Sequence, residues 1–259
     1  GSLRRIKDIV KEVESGLECG VGADPEWGEW KAGDKIECFD LVDRVQTLES
    51  ASDELGKKVD EIKAAGGEAI ANKASVSSKE GAQSIIDDAV SAYGTVDILI
   101  NNAGILRDKS FKNMDMADWD MVMDVHLNGS GYVTRAAWPI MYEKNYGRIV
   151  FTSSTSGVFG NFGQANYGAA KMGMLGLMNV LAIEGLSKNI RVNCLAPAAE
   201  TRLIGTIPGR DVDPDNPDPM RHPKLVTPVV LLMCTEDAPT GQTFHAGNGR
   251  FSRSATFVN

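Results

Sequence analysis

Residues 147–186, GRIVFTSSTSGVFGNFGQANYGAAKMGMLGLMNVLAIEGL, constrain the fold more than any other stretch of the chain. An apolar run over Ile149, Val150 and Phe151 gives way to a cluster of hydroxyls, and from Gln164 onward small and apolar residues recur with helical periodicity. The pattern predicts that Ser154 ends a strand and that Tyr167 opens a helix. On that helix Tyr167 and Lys171 are four apart and share a face, so the ammonium can sit beneath the phenol and favour its ionised form. A free phenol titrates near pH ~10, too high for a base at neutral pH, and a nearby cation is one of the few ways to lower it. Ser154, thirteen positions before the tyrosine, would hold the substrate oxygen that Tyr167 protonates or deprotonates. Taken alone, a Tyr and a Lys one helical turn apart are more often a solvated pair than a site.

Two further segments argue against the solvated pair. Asn101, Asn102, Ala103 and Gly104 follow the apolar run VDILI (96–100), which places a glycine-containing turn at a strand's C-terminal end, where open α/β sheets bind ligands. NCLAPAAET (193–201) closes another apolar segment with a proline and then the hydroxyl of Thr201. With the Ser-Tyr-Lys set, these resemble the short-chain dehydrogenase/reductase family in its usual order and spacing, over about residues 52–251. The phrases NNAGILRDKSF, VHLNGS, RAAW, YGRIVFTSS, GNFGQANYGAAK and AIEG look like the (3R)-hydroxyacyl-CoA dehydrogenase domains of multifunctional β-oxidation enzymes.

The resemblance implies roles residue by residue. Tyr167 is the acid/base, Ser154 orients the carbonyl, and Lys171 lowers the tyrosine pKa and binds the nicotinamide ribose. The fourth catalytic position of the family, usually Asn, falls on His126; its role there runs through a backbone carbonyl, so a histidine is tolerable, and a packed helix histidine is the competing reading. Asn101, Ala103 and Gly104 would approach the cofactor, the latter two at the adenosine ribose, with Val76 at the adenine and Thr201 at the nicotinamide amide. The acidic residue usual at the adenine falls on Ala74. The implied cofactor is NAD or NADP, with NAD favoured, and no metal is expected. A small-molecule substrate, a 3-hydroxyacyl-CoA, and a homo-oligomer are also implied.

The front of the chain breaks this pattern. Such a dehydrogenase opens with a buried strand, a glycine-rich turn and a helix whose N-terminus carries the cofactor pyrophosphate. SGLECGVG (15–22) satisfies the glycine spacing, but the preceding RRIKDIVKEVE is charged throughout and the following ADPEWG puts Pro25 and Gly28 where the helix should propagate. Residues 15–22 are therefore not expected to cradle a pyrophosphate. KEVESGLECGVG and AGDKIECF instead resemble the end of the C-terminal β-barrel of bacterial-type translation initiation factor two. The fold expected is α/β, a Rossmann-like doubly wound parallel sheet lacking the usual first β-α-β unit, with a small foreign N-terminal β segment. Residues 1–48 would form that segment and residues 49–259 an N-terminally incomplete dehydrogenase core. A natural fusion, a misassembled gene and a designed chimera would each produce such a chain.

Along the rest of the chain, helices are expected over 53–65 and 79–93 with a strand at 68–72 between them. A long helix over 116–144 is expected to break near Gly129, Ser130 and Gly131. The small residues Gly168, Ala169, Ala170, Gly173 and Gly176 leave one side of the Tyr167 helix smooth, for a subunit interface by resemblance or for intrachain packing. Five of the ten prolines crowd into residues 207–223, a loop that the resemblance makes a substrate lid. There Arg202 and Arg210 would meet coenzyme A phosphates or remain solvated. A final helix over 225–234 and a final strand over 242–246 complete the expectation.

A net charge of -8 argues against a nucleic-acid surface. No uninterrupted apolar window approaches ~18 residues, so no membrane span is expected. The four cysteines show neither metal-ligand spacing nor a preceding secretory signal, which reads as reduced thiols in the cytoplasm or an organelle matrix. The terminal Phe257, Val258 and Asn259 are not a peroxisomal tripeptide. An active oxidoreductase is the leading reading. A dehydrogenase-like scaffold that lost its cofactor loop is the second, and an RNA-related module the third.

Overall fold

The computed structural model describes residues 2–5, 8–10, 20–22, 48–205, 207, 212–213 and 216–255. The chain divides into two units, Gly1–Ser50 and Ala51–Asn259. In the first, β1 (Ser2–Arg5) pairs antiparallel with both β2 (Asp8–Val10) and β3 (Gly20–Gly22). Gly20, Val21 and Gly22 are thus paired strand residues, opposite Arg4, Leu3 and Ser2. The rest of the glycine-rich stretch and the AGDKIECF phrase lie outside the described residues.

The second unit is an α/β fold around one sheet. Helix α1 (Leu48–Ala64) leads into it and is followed by α2 (Lys79–Tyr93), β4 (Ile98–Asn101), α3 (Met116–Met123) and α4 (Gly129–Lys144). Next come β5 (Gly147–Thr152), α5 (Thr155–Phe159), α6 (Ala165–Glu184), β6 (Ile190–Ala198), α7 (Arg202–Gly205) and α8 (Thr227–Cys234). The hairpin β7 (Thr243–Gly247) and β8 (Arg250–Ser254) closes it. The sheet order is β4-β5-β6-β7-β8, with β4 to β7 parallel and β8 antiparallel.

The apolar run of β5 is explained by its place in the middle of this order. Every one of its residues is buried, because alternate side chains meet helices on opposite faces. Ile149 and Phe151 join a core with α2, α4 and α6, while Val150 joins a second core with Val226, Val229 and Met233 around α8.

β4 shows what one-sided cover does. Leu99 is buried beneath the α2 and α4 layer, whereas Ile98 and Ile100, on the face that Val150 shares, are each 46% exposed. Among the described residues no strand lies beyond β4 and no helix covers that face. For the same reason the strand expected at 68–72 is not formed. A strand requires a neighbouring ladder and none is described beside it; the Asn72 amide instead binds Ser84 and Asp88 of α2 at 3.1 and 2.7 Å.

The long helix breaks earlier than its glycines indicate. A π-turn over Asp124–Asn128 joins α3 to α4, and Gly129 follows it because a Cβ there would approach Val76 Cγ2 to 3.0 Å. The small residues of α6 divide their tasks: Gly173 receives Leu127 and Gly168 packs on Ser156, while Gly176 faces open space. β8 was not anticipated, although Asn248 and Gly249, with φ of 53° and 67°, form the Asn-Gly turn that marks a tight hairpin. Among the described residues no helix is long and apolar enough to cross a membrane.

Candidate active site

β5 ends at Thr152, and the chain turns so that the Ser154 side chain caps α5, accepting from the Ser156 amide at 3.1 Å. Helix α6 then returns past it. Fully buried Asn166 fixes the first turn of α6: its amide donates to the Arg107 carbonyl at 3.1 Å, and its Oδ1 accepts from the Tyr167 amide at 2.7 Å. Sequence reasoning missed Asn166, whose signal is a polar amide in the first turn of an otherwise apolar helix.

Ser154 and Tyr167 consequently line one cavity of about 330 Å³. Polar groups of Gln164, Asn161 and Glu200 share its wall with the apolar Leu106, Leu203, Ile204 and Ile207. Glu200 also ties the end of β6 to the segment before α8, accepting from Asp218 N at 2.9 Å and pairing with Arg221 at 3.3 Å. The apolar residues of the lining escaped the sequence reading because Leu106 is far along the chain from α7 and Ile207.

Lys171 is almost wholly buried, donates to the Thr152 carbonyl at 2.5 Å and lies 5.3 Å from the centre of the Tyr167 ring. Burial pulls its pKa down to about 7. The expected lowering of Tyr167 by this cation is not the net result. Burial raises the phenol above its ordinary value, Asp108 adds to the rise, and the Ser154 hydroxyl pulls the other way. Desolvation outweighs the Ser154 hydrogen bond, the one lowering contribution.

His126, on the π-turn, meets the Tyr167 ring edge-on at 5.2 Å. The four sequence-derived catalytic candidates therefore adjoin one another, with His126 and Lys171 behind the cavity wall rather than on it. Of the cofactor candidates, Asn101 is held by Thr134 at 3.1 Å, and its neighbour Asn102 accepts from Thr152 Oγ1 at 3.0 Å beside the lysine's carbonyl partner. Gly104 packs directly on His126. Ala103, Val76 and Thr201 do not line the cavity; Val76 packs against Gly129, and Thr201 heads α7 through its carbonyl. The Arg202 side chain and Arg210 lie outside the described residues.

The chain matches the short chain dehydrogenase family over residues 42–204, more than half its length. It belongs to that family and is an oxidoreductase of it. It is 47% identical over 224 residues to peroxisomal multifunctional enzyme A of Dictyostelium discoideum, covering 86% of this chain and 49% of that protein. Full-length peroxisomal multifunctional enzyme type 2 from Drosophila melanogaster superposes with a TM-score of 0.64 at 40% identity, over 78% of this chain and 34% of that one. A short chain dehydrogenase from Mycobacterium avium gives 0.70 at 35% identity, over 79% and 70%. The chain spans about half the length of the Dictyostelium relative. The initiation-factor resemblance of the first forty residues draws no support from these relatives.

Short-chain dehydrogenases generally use NAD(P). The donor set suits the nicotinamide end of such a cofactor: a buried ammonium and a phenol at the mouth of a strand-end turn, with Gly104 too close to His126 for any side chain. The pyrophosphate end has no glycine-rich helix start among the described residues of the second unit.

Proposed function

We propose that this chain interconverts the secondary alcohol and ketone of a 3-hydroxyacyl-CoA with NAD as the favoured nucleotide, through residues 49–259. The observation that carries the reading is that Ser154 and Tyr167 line one cavity together with the apolar Leu106, Leu203, Ile204 and Ile207, with Lys171 beside the tyrosine ring. The polar end suits a carbonyl or hydroxyl, and the wall of Leu203, Ile204 and Ile207 suits an acyl chain. Two of the relatives are named as multifunctional enzymes of the peroxisome, which supports an acyl substrate.

Bound NAD would supply the hydride chemistry, with Tyr167 and Lys171 to hold its nicotinamide ribose, Asn101 beside it, Thr201 at the amide, Ala103 and Gly104 at the adenosine ribose and Val76 at the adenine. Tyr167 gives its proton to the carbonyl oxygen in reduction and takes it back in oxidation, while the Ser154 hydroxyl orients that oxygen. The lysine supports the ionised phenol electrostatically once the cleft is filled. We place the protein in the cytoplasm or an organelle matrix, as a homo-oligomer, with residues 1–48 as a separate β segment.

The test is turnover of each enantiomer of a 3-hydroxyacyl-CoA by the purified chain with NAD or NADP, read by nucleotide absorbance. The expected result is oxidation of one enantiomer, faster with NAD, and its loss in Tyr167→Phe. A folded chain inactive with both nucleotides and both enantiomers overturns the reading.

A further inference from the structure

His126 is fully buried, yet its Nδ1 has no hydrogen-bond partner. Its Nε2 lies 3.0 Å from the Ile105 amide nitrogen, which donates toward it, and 2.8 Å from the Ile105 carbonyl oxygen. Its ring stands perpendicular to that of Tyr167, at 89°. An added Cβ on Gly104 would come within 2.4 Å of the histidine Cε1.

A neutral imidazole has one N–H and one lone pair, so Nε2 serves either the Ile105 amide or the Ile105 carbonyl. If Nε2 carries the proton, the Ile105 N–H and the Nδ1 lone pair both go unpaired at this contact. If Nδ1 carries it, the amide is satisfied and the Nδ1–H and the Ile105 carbonyl go unpaired at this contact; the numbers are equal, but folded proteins leave a buried backbone N–H unpaired more rarely than a backbone C=O, which favours this tautomer. A charged ring would add a cation to a closed space that already holds Lys171, and burial together with that ammonium pulls His126 down to about 4.

We propose that His126 is a positioning residue for Tyr167: fixed as its neutral, Nδ1-protonated tautomer by the Ile105 amide, its ring forms the wall that orients the phenol and ties it to Gly104 and Ile105. This rests on the reading of Tyr167 as the acid/base. Glutamine at this position would retain an acceptor for Ile105 without an aromatic wall, and phenylalanine a wall without the acceptor. Histidine supplies both in a volume that leaves space for Gly104.

Two measurements on the full chain test this without requiring turnover. Long-range ¹H–¹⁵N correlation spectra of ¹⁵N-histidine-labelled protein, assigned with His126→Gln, should show the Nδ1–H tautomer, unchanged between about pH 5.5 and 8. Ultraviolet titration of the phenol, isolated by subtracting Tyr167→Phe, should give similar midpoints for the wild type and His126→Phe. In His126→Gln the midpoint should fall toward the ordinary tyrosine value as water reaches the ring. With substrate, His126→Gln should lower kcat about tenfold or more with KM within about twofold. An Nε2–H tautomer or a charged ring in the wild type overturns the proposal, as does an unmoved phenol in His126→Gln. If the spectra and titration follow expectation and the wild type has no turnover, the functional reading falls while the wall assignment stands.

Discussion

The Lys171 ammonium donates to the Thr152 carbonyl and sits 5.3 Å from the centre of the Tyr167 ring, so a buried cation and a half-buried phenol adjoin at the end of β5. Enclosure dominates both groups: it draws the lysine down to about 7 and the phenol up. A cleft of this kind resists holding charge until a ligand supplies compensation, which makes proton position sensitive to occupancy.

The lysine's displacement has a stability consequence whose sign follows from linkage. Because the folded pKa lies below the unfolded one, the unfolded chain binds more protons between about pH 7 and 10.5, and this group's contribution to stability rises with pH across that window. Lys171→Met removes the dependence. Its melting temperature relative to wild type should be most favourable at or below pH 7 and decline toward pH 10; a difference that stays constant with pH would contradict the buried-ammonium assignment.

Ser154 both caps α5 and favours the ionised form of the Tyr167 phenol. Ser154→Ala should therefore raise the phenol midpoint further, reduce turnover, and lower stability by about 1 kcal/mol through loss of the cap. Ultraviolet titration and denaturant unfolding of the same sample separate the two effects.

Gly104 has no space for a side chain because His126 occupies it. Gly104→Ala should cost about 1–3 kcal/mol by overpacking. Combining it with His126→Ser should recover part of that loss, so a double-mutant cycle should return a favourable coupling. Strict additivity would mean that the clash is relieved elsewhere.

Arg148 is fully buried and donates to the carbonyls of Gly147, Asn189, Thr235 and Glu236 at 2.8–2.9 Å, joining β5, the start of β6 and the end of α8. Arg148→Met leaves these acceptors facing an apolar chain, and a loss of about 3 kcal/mol or more is expected in urea unfolding. Its neighbour at 3.7 Å, Glu236, is largely exposed, and Glu236→Gln should cost well under about 1 kcal/mol.

Among the described residues no strand pairs with the outer edge of β4, and Ile98 and Ile100 are each about half exposed there, so this face is expected to promote aggregation. Ile98→Lys should change stability by less than about 0.5 kcal/mol while reducing concentration-dependent light scattering. A large drop in stability would show instead that this face is covered in solution.

The sequence by itself determined the main helices and strands from α2 to β7, though not the short α5 and α7 or β8, because unbroken apolar runs such as Ile149 to Phe151 are stable between two helical layers, and helix caps such as Ser78 and Asp115 act locally. It also determined that Ser154 and Lys171 come close to Tyr167, since residue spacing on one helix and a strand-to-helix turn are short-range relations. Only tertiary structure decided the rest. Residues 68–72 are not a strand because pairing depends on a neighbour distant in the chain. The apolar cavity wall combines Leu106 with Leu203, Ile204 and Ile207, which no local period links. The break in the long helix falls at His126 rather than at the glycines, where a π-turn fits the imidazole between Ile105 and Tyr167. Even the upward displacement of the Tyr167 phenol belongs to this class, because spacing along α6 reveals the cation nearby, while the desolvation that outweighs the Ser154 hydrogen bond comes from everything folded around the ring.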